Sequence, residues 1–145
     1  MNTKINWVSK YILKIGENNI QIIIKNKIYN LEGMFEYCIS LKNIEELKYL
    51  DTKEIKNFSY MFSGCSSLLD IKPLENWNVS NGNDFSGIFN GCSSLLDIKP
   101  LEKWDVSNGT NFSGMFFECS SLSDIKPLEK WNISQKYKNT MFEYL

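Results

Sequence analysis

The chain has no histidine in its 145 residues, which removes the side chain most used for proton transfer near neutral pH and the commonest metal ligand. A nucleophile or general base would have to come from Cys, Asp, Glu or Lys. Zinc sites favour close ligand pairs such as C-x-x-C, and the four cysteines here stand 27 positions apart. There is no glycine-rich phosphate loop. No stretch approaches the roughly 18 apolar residues of a membrane span. The start, Met1 to Trp7, lacks the roughly 7–15-residue apolar segment and small-residue cleavage site of a secretory leader. Read this way, the chain is cytosolic. A net charge of −1, with Lys and acidic residues interspersed, supplies no basic stripe for phosphates, so nucleic acid is not an expected partner. The absences together describe a non-enzyme without cofactor, metal or membrane insertion.

What is present is a period. Cys38, Cys65, Cys92 and Cys119 recur every 27 residues, and the apolar residues around them keep the same step. A fixed period of that length marks stacked copies of one supersecondary unit sharing a continuous core. The fold class read from it is an α/β repeat, a leucine-rich-repeat-like solenoid with 27-residue turns, each a short helix plus short strands. Residues 30–145 then hold four copies and a partial fifth, and residues 1–29 an N-terminal β-hairpin cap, in one continuous domain.

Within a copy, Phe58, Met61, Phe62 and Cys65 fall at i, i+3, i+4 and i+7, which predicts a two-turn helix with one apolar face. Asn30, Asn57, Asp84 and Asn111 precede that face and read as N-caps. Gly64 and Gly91 suit a left-handed helix stop, a position that Tyr37 and Glu118 take in the first and fourth copies. Beyond it come the columns Leu41/Leu68/Leu95/Leu122, Ile44/Ile71/Ile98/Ile125 and Leu47/Leu74/Leu101/Leu128, read as coil and short strand. Leu50 then begins a column continued by Trp77, Trp104 and Trp131. Pro73, Pro100 and Pro127 sit where a bending chain has no ladder amide to give. Ser80-Asn81-Gly82 and Ser107-Asn108-Gly109 mark the turn to the next copy. Parallel thiols in stacked copies do not suit disulfide geometry, so the cysteines read as a buried ladder.

At the N-terminal end, Tyr11–Ile15, a turn over Gly16-Glu17-Asn18-Asn19, and Ile20–Ile24 read as a hairpin. At the other end Met141-Phe142-Glu143-Tyr144-Leu145 restarts the unit of Met34-Phe35-Glu36-Tyr37-Cys38, one residue early, and stops. Met141, Phe142, Tyr144 and Leu145 are therefore candidates for end-to-end contact, and self-association through this end is an expected alternative.

The segment Met61-Phe62-Ser63-Gly64-Cys65-Ser66-Ser67-Leu68, repeated at Ile88–Leu95 and Met115–Leu122 and followed by Trp77-Asn78-Val79-Ser80-Asn81, resembles the BspA-like leucine-rich repeats of bacterial and protist surface proteins. The likeness covers about residues 30–145. It implies a leucine-rich-repeat-like solenoid, no catalysis, protein partners and adhesion at a cell surface.

Outward positions remain for binding. Asp70, Asp97 and Asp124 form one column, Lys72, Lys99 and Lys126 another two residues along, with Glu75, Glu102, Glu129, Lys103 and Lys130 beside them. They read either as a solvated face or as a strip that docks a partner of matching spacing. An exposed Trp column could instead stack sugar rings, although its period matches the core columns. The five N-x-[ST] patterns, at Asn57, Asn78, Asn108, Asn111 and Asn132, read as turn and cap chemistry rather than glycosylation.

Overall fold

The computed structural model describes residues 9–15, 18–24 and 28–143. Residues 1–8, the hairpin positions Gly16 and Glu17, and the end-contact candidates Tyr144 and Leu145 lie outside them. Strands β1 (Ser9–Ile15) and β2 (Asn18–Ile24) pair antiparallel, with Lys14 opposite Asn19 and Ile15 opposite Asn18. Asn18 and Asn19 thus belong to the second strand and not to the turn. β1 lies near Glu45–Tyr49.

From Asn30 onward each copy is held chiefly by its neighbours. Alternate amides leave their own turn: Phe58, Tyr60, Phe62 and Gly64 donate to the carbonyls of Asp84, Ser86, Ile88 and Asn90 in the next copy, at 2.7–2.9 Å. The amides between them close local turns, as Ser63 does onto Tyr60 at 3.0 Å and Cys65 onto Phe62 at 3.0 Å. The same alternation starts at Leu31 and at Phe85. An α-helix would send all these amides four residues back, so the predicted helix is replaced by two successive turns. The strands expected within each copy reduce to parallel single-residue bridges, Asn30 to Asn57 to Asp84 to Asn111.

Two left-handed residues per copy make this possible. Tyr60 (φ 55°) stands where the other copies have Gly33, Gly87 and Gly114, and Gly64 (φ 72°) and Gly91 (φ 69°) align with Tyr37 (φ 57°) and Glu118 (φ 59°). Each such residue reverses the winding after about one turn and so turns every second amide toward the adjacent copy. The Asn and Asp residues at the head of each unit keep their capping chemistry: Oδ1 of Asn30, Asn57, Asp84 and Asn111 accepts the amide two residues on, at 2.7, 2.8, 2.9 and 3.2 Å.

Where coil and strand were expected after the leucines, short 3-10 segments form at Glu45–Tyr49, Lys72–Leu74, Lys99–Lys103 and Lys126–Lys130. Proline occupies the first turn of the last three, where its missing amide has no helical partner to lose. The core is a set of ladders. Phe35, Phe62, Phe89, Phe116 and Phe142 stack at 5.6, 5.7, 5.8 and 5.8 Å between ring centres, and Phe58, Phe85 and Phe112 at 5.4 Å each. Near the end, α1 (Gln135–Thr140) replaces the turn, and Tyr137 meets Phe112 at 5.6 Å. The one-residue offset read in the sequence is present: Phe89 donates to Met115, and Phe116 to Met141, one residue nearer along the chain.

Candidate functional site

The polar atoms of the buried columns are spent on the core. Trp77, Trp104 and Trp131 are 5, 4 and 3% exposed. Their indole N–H groups donate to the carbonyls of Leu47, Leu74 and Leu101, thirty residues back, at 2.8, 3.0 and 2.9 Å. The proposed row of sugar-stacking tryptophans is therefore corrected: Trp77 stacks on Trp104, and Trp77, Trp104 and Trp131 lie tilted against Phe58, Phe85 and Phe112. The thiols behave alike. Sγ of Cys65, Cys92 and Cys119 donates to the carbonyls of Phe35, Phe62 and Phe89 at 3.1, 3.2 and 3.1 Å. All four cysteines are free, Cys38 alone being half-buried. Burial pushes the Cys65 and Cys119 thiols up to about 12 and raises those of Cys38 and Cys92. Among the described residues no group of three or more Cys, Asp or Glu side chains is placed to hold a metal ion.

The outward strip divides into two halves. In the first, charges are paired across copies: Lys103 meets Glu75 at 3.1 Å, and Lys130 meets Glu102, whose carboxyl it holds below the usual range. Glu129 has no such partner among the described salt bridges, and its backbone carbonyl accepts Lys138 Nζ at 3.4 Å. In the second half, the Asp70, Asp97 and Asp124 carboxylates accept the backbone amides of Lys72, Lys99 and Lys126 at 2.7, 2.7 and 3.0 Å. These Asx turns lead the chain into the 3-10 segments. The Lys72, Lys99 and Lys126 side chains are exposed and enter no ion pair among the described residues.

Beside this unpaired half stand Leu69 and Leu96, 50 and 60% exposed, which the sequence reading passed over. The signal was there, since the same position carries Lys42 in the first copy and Ser123 in the fourth. A column that accepts Lys and Ser is an outer one.

The C-terminal end differs from the interior. Ile44, Ile71 and Ile98 are 1, 0 and 0% exposed, whereas Ile125 in the same column is 48% exposed. Ile125, Leu128, Met141 and Phe142 border a groove of about 540 Å³ whose rim carries Glu129, Lys138 and Glu143. Of the end-contact candidates, Phe142 is 37% exposed, while Met141 is fully buried and so cannot make that contact. Among the described residues no helix is long and apolar enough to cross a membrane.

A model of the family described as Mycoplasma protein of unknown function, DUF285, matches residues 11–99 and 29–145. No curated protein and no solved structure matches the chain.

Proposed function

The chain belongs to the family described as Mycoplasma protein of unknown function, DUF285, and from that premise we propose that it is a non-catalytic protein-interaction module. Its repeats are read as a leucine-rich-repeat-like solenoid of the BspA-like kind, displayed at a cell surface for adhesion. One observation carries the reading. The indoles of Trp77, Trp104 and Trp131 and the thiols of Cys65, Cys92 and Cys119 are turned inward and hydrogen-bonded there, while the outward Asp and Lys columns recur through the second, third and fourth copies. Catalysis needs unlike groups converging once, whereas recurring groups make a periodic surface suited to a large partner.

The test replaces Lys72, Lys99 and Lys126 by Ser and compares cross-linked partners captured by the variant and the native chain in cells that express it. Loss of specific partners by a variant with an unchanged near-ultraviolet tryptophan spectrum is expected. An identical set of partners overturns the lateral surface as the binding face. Labelling of intact cells with a membrane-impermeant amine reagent separates surface display from the alternative, an intracellular scaffold.

A second reading is favoured by the exposure of Ile125 and Phe142: self-association through the C-terminal end. Light scattering over a concentration range decides it. A dimer that Phe142→Asp dissolves supports this reading, and a monomer near 17 kDa at every concentration rejects it.

A further inference from the structure

We propose that Asn81 and Asn108 are sites of spontaneous deamidation held in check by the junctions between copies, and that the product prevents a junction from closing again as before. The co-reactant is water. The inference goes beyond the interaction reading above and does not depend on it.

Each of these asparagines is followed by glycine, and the fold calls for both residues. Nδ2 of Asn81 donates to the carbonyl of Lys53 at 2.7 Å, and Nδ2 of Asn108 to that of Ser80 at 2.8 Å, each reaching into the preceding copy. A Cβ at position 82 would stand 2.5 Å from the Phe85 ring and 2.9 Å from the Val79 carbonyl, and one at 109 would meet the Phe112 ring and the Val106 carbonyl. Glycine alone allows so close an approach. The bond between copies and the packing beside it thus force together the pair Asn-Gly, in which no Cβ shields the backbone nitrogen next to a thermolabile amide. In the outer copies the same two positions carry Glu54-Ile55 and Gln135-Lys136, so in this column the pair is confined to two junctions, first copy to second and second to third.

In the reaction the glycine backbone nitrogen gives up its proton and attacks Cγ of the asparagine. The Cγ–Nδ2 bond breaks, ammonia leaves, and a succinimide ring closes. Water then adds to one of the ring carbonyls and opens it to aspartate or isoaspartate, so that water is consumed, ammonia is released and nothing is oxidised or reduced. Both reacting groups are tied down in the folded chain. The Gly82 and Gly109 amides donate to the carbonyls of Val79 and Val106 at 2.8 Å each, and the carboxamides are anchored on the neighbouring copy. Attack requires the nitrogen to swing onto Cγ, which neither group can do until the junction opens. Asn81 and Asn108 are exposed, so water is at hand. The product cannot restore what was lost. A carboxylate only accepts hydrogen bonds, and set against the Lys53 or Ser80 carbonyl it faces a second acceptor. Isoaspartate in addition lengthens the main chain within the turn that Gly82 closes onto Val79.

The experiment ages the whole chain in mildly alkaline buffer with and without urea, and follows each asparagine by peptide mapping and mass spectrometry. Asn90-Gly91, a third pair of this kind, gives the reference rate in urea. Asn81 and Asn108 are expected to react at least about tenfold more slowly in the folded chain than in urea. Trp104→Phe, which removes the indole bond between the third copy and the second, is expected to speed the reaction at Asn108 more than at Asn81. The aged chain should show a lowered urea midpoint that Asn81→Asp/Asn108→Asp reproduces and that Asn81→Gln/Asn108→Gln escapes on ageing. If the double Asp variant fails to fold, Asn108→Asp alone is compared with the aged chain. Equal rates at both sites with and without urea overturn the protection. An unchanged Asn108 rate in Trp104→Phe overturns the junction as the gate, and an Asp variant with the native midpoint overturns the consequence.

Discussion

The indole nitrogen of Trp104 donates to the carbonyl of Leu74 at 3.0 Å, although thirty residues separate them. The bond joins the third copy to the second, and its equivalents from Trp77 to Leu47 and from Trp131 to Leu101 join the others. A residue that looks like simple core thus also fixes the register between neighbours. Trp104→Phe keeps an aromatic ring but removes the donor, and it leaves Leu74 with only the backbone amide of Trp77. The expected loss is about 1–3 kcal/mol, read as a lowered urea midpoint with unchanged slope.

Glu118 holds a left-handed conformation (φ 59°) in a position that glycine fills at 64 and 91. A non-glycine residue there costs about 1–2 kcal/mol, offset in part by the roughly 0.5–1 kcal/mol of chain entropy that glycine gives up. Glu118→Gly is therefore expected to raise stability by about 0.5–1 kcal/mol, seen as a higher melting temperature. Gly64→Ala is expected to lower it, because the added Cβ would stand 2.6 Å from the Tyr37 ring.

The thiols make stability depend on pH in the alkaline range. For Cys65 and Cys119 the folded-state value near 12 lies above the ordinary value of 9, so the folded chain holds protons that the unfolded chain releases. This contribution is complete below about pH 9 and is lost as pH rises toward about 12. The urea midpoint should fall between pH 9 and 10.5, and the fall should be shallower in Cys65→Ala/Cys119→Ala. At pH 8, a thiol reagent should modify Cys38 first and the other three only on unfolding.

Deleting residues 84–110 removes one copy and brings Asn83 to Asn111. The remaining partners are of the same kind: Trp131 meets the carbonyl of Leu74, Cys119 that of Phe62, and Lys130 the carboxylate of Glu75. The shortened chain should fold, with a smaller urea slope and a lower midpoint. An unfolded product would mean that the copies are not interchangeable.

The period and the columns were legible in the sequence because burial leaves its mark residue by residue: Leu68, Ile71, Leu74 and Trp77 are all inside, as their recurrence required. The caps at Asn57 and Asp84 were legible for a related reason, since a side-chain oxygen reaching an amide two residues on is a local affair. The helix from Phe58 to Cys65 was misread because its spacing records only which way side chains point. That pattern is shared by a true helix and by two turns broken at Tyr60 and Gly64. The difference lies in where the amides go, and their acceptors are in another copy. Tyr60 itself gave no warning, since nothing about tyrosine suggests a positive φ. For the charged strip, the columns could be read, but their division into a paired and an unpaired half depends on contacts between Glu75 and Lys103, 28 positions apart.

The direction of these bonds orders events while the chain is being made. Backbone amides such as that of Leu31 point to carbonyls such as that of Asn57, 26 residues later in translation. Indoles and thiols point the other way, to acceptors already synthesised. A copy leaving the ribosome can therefore anchor its side chains on the one before it, while the alternate amides of its paired turns lack their acceptors until the next copy emerges. The growing end is always an unfinished template, completed one copy late.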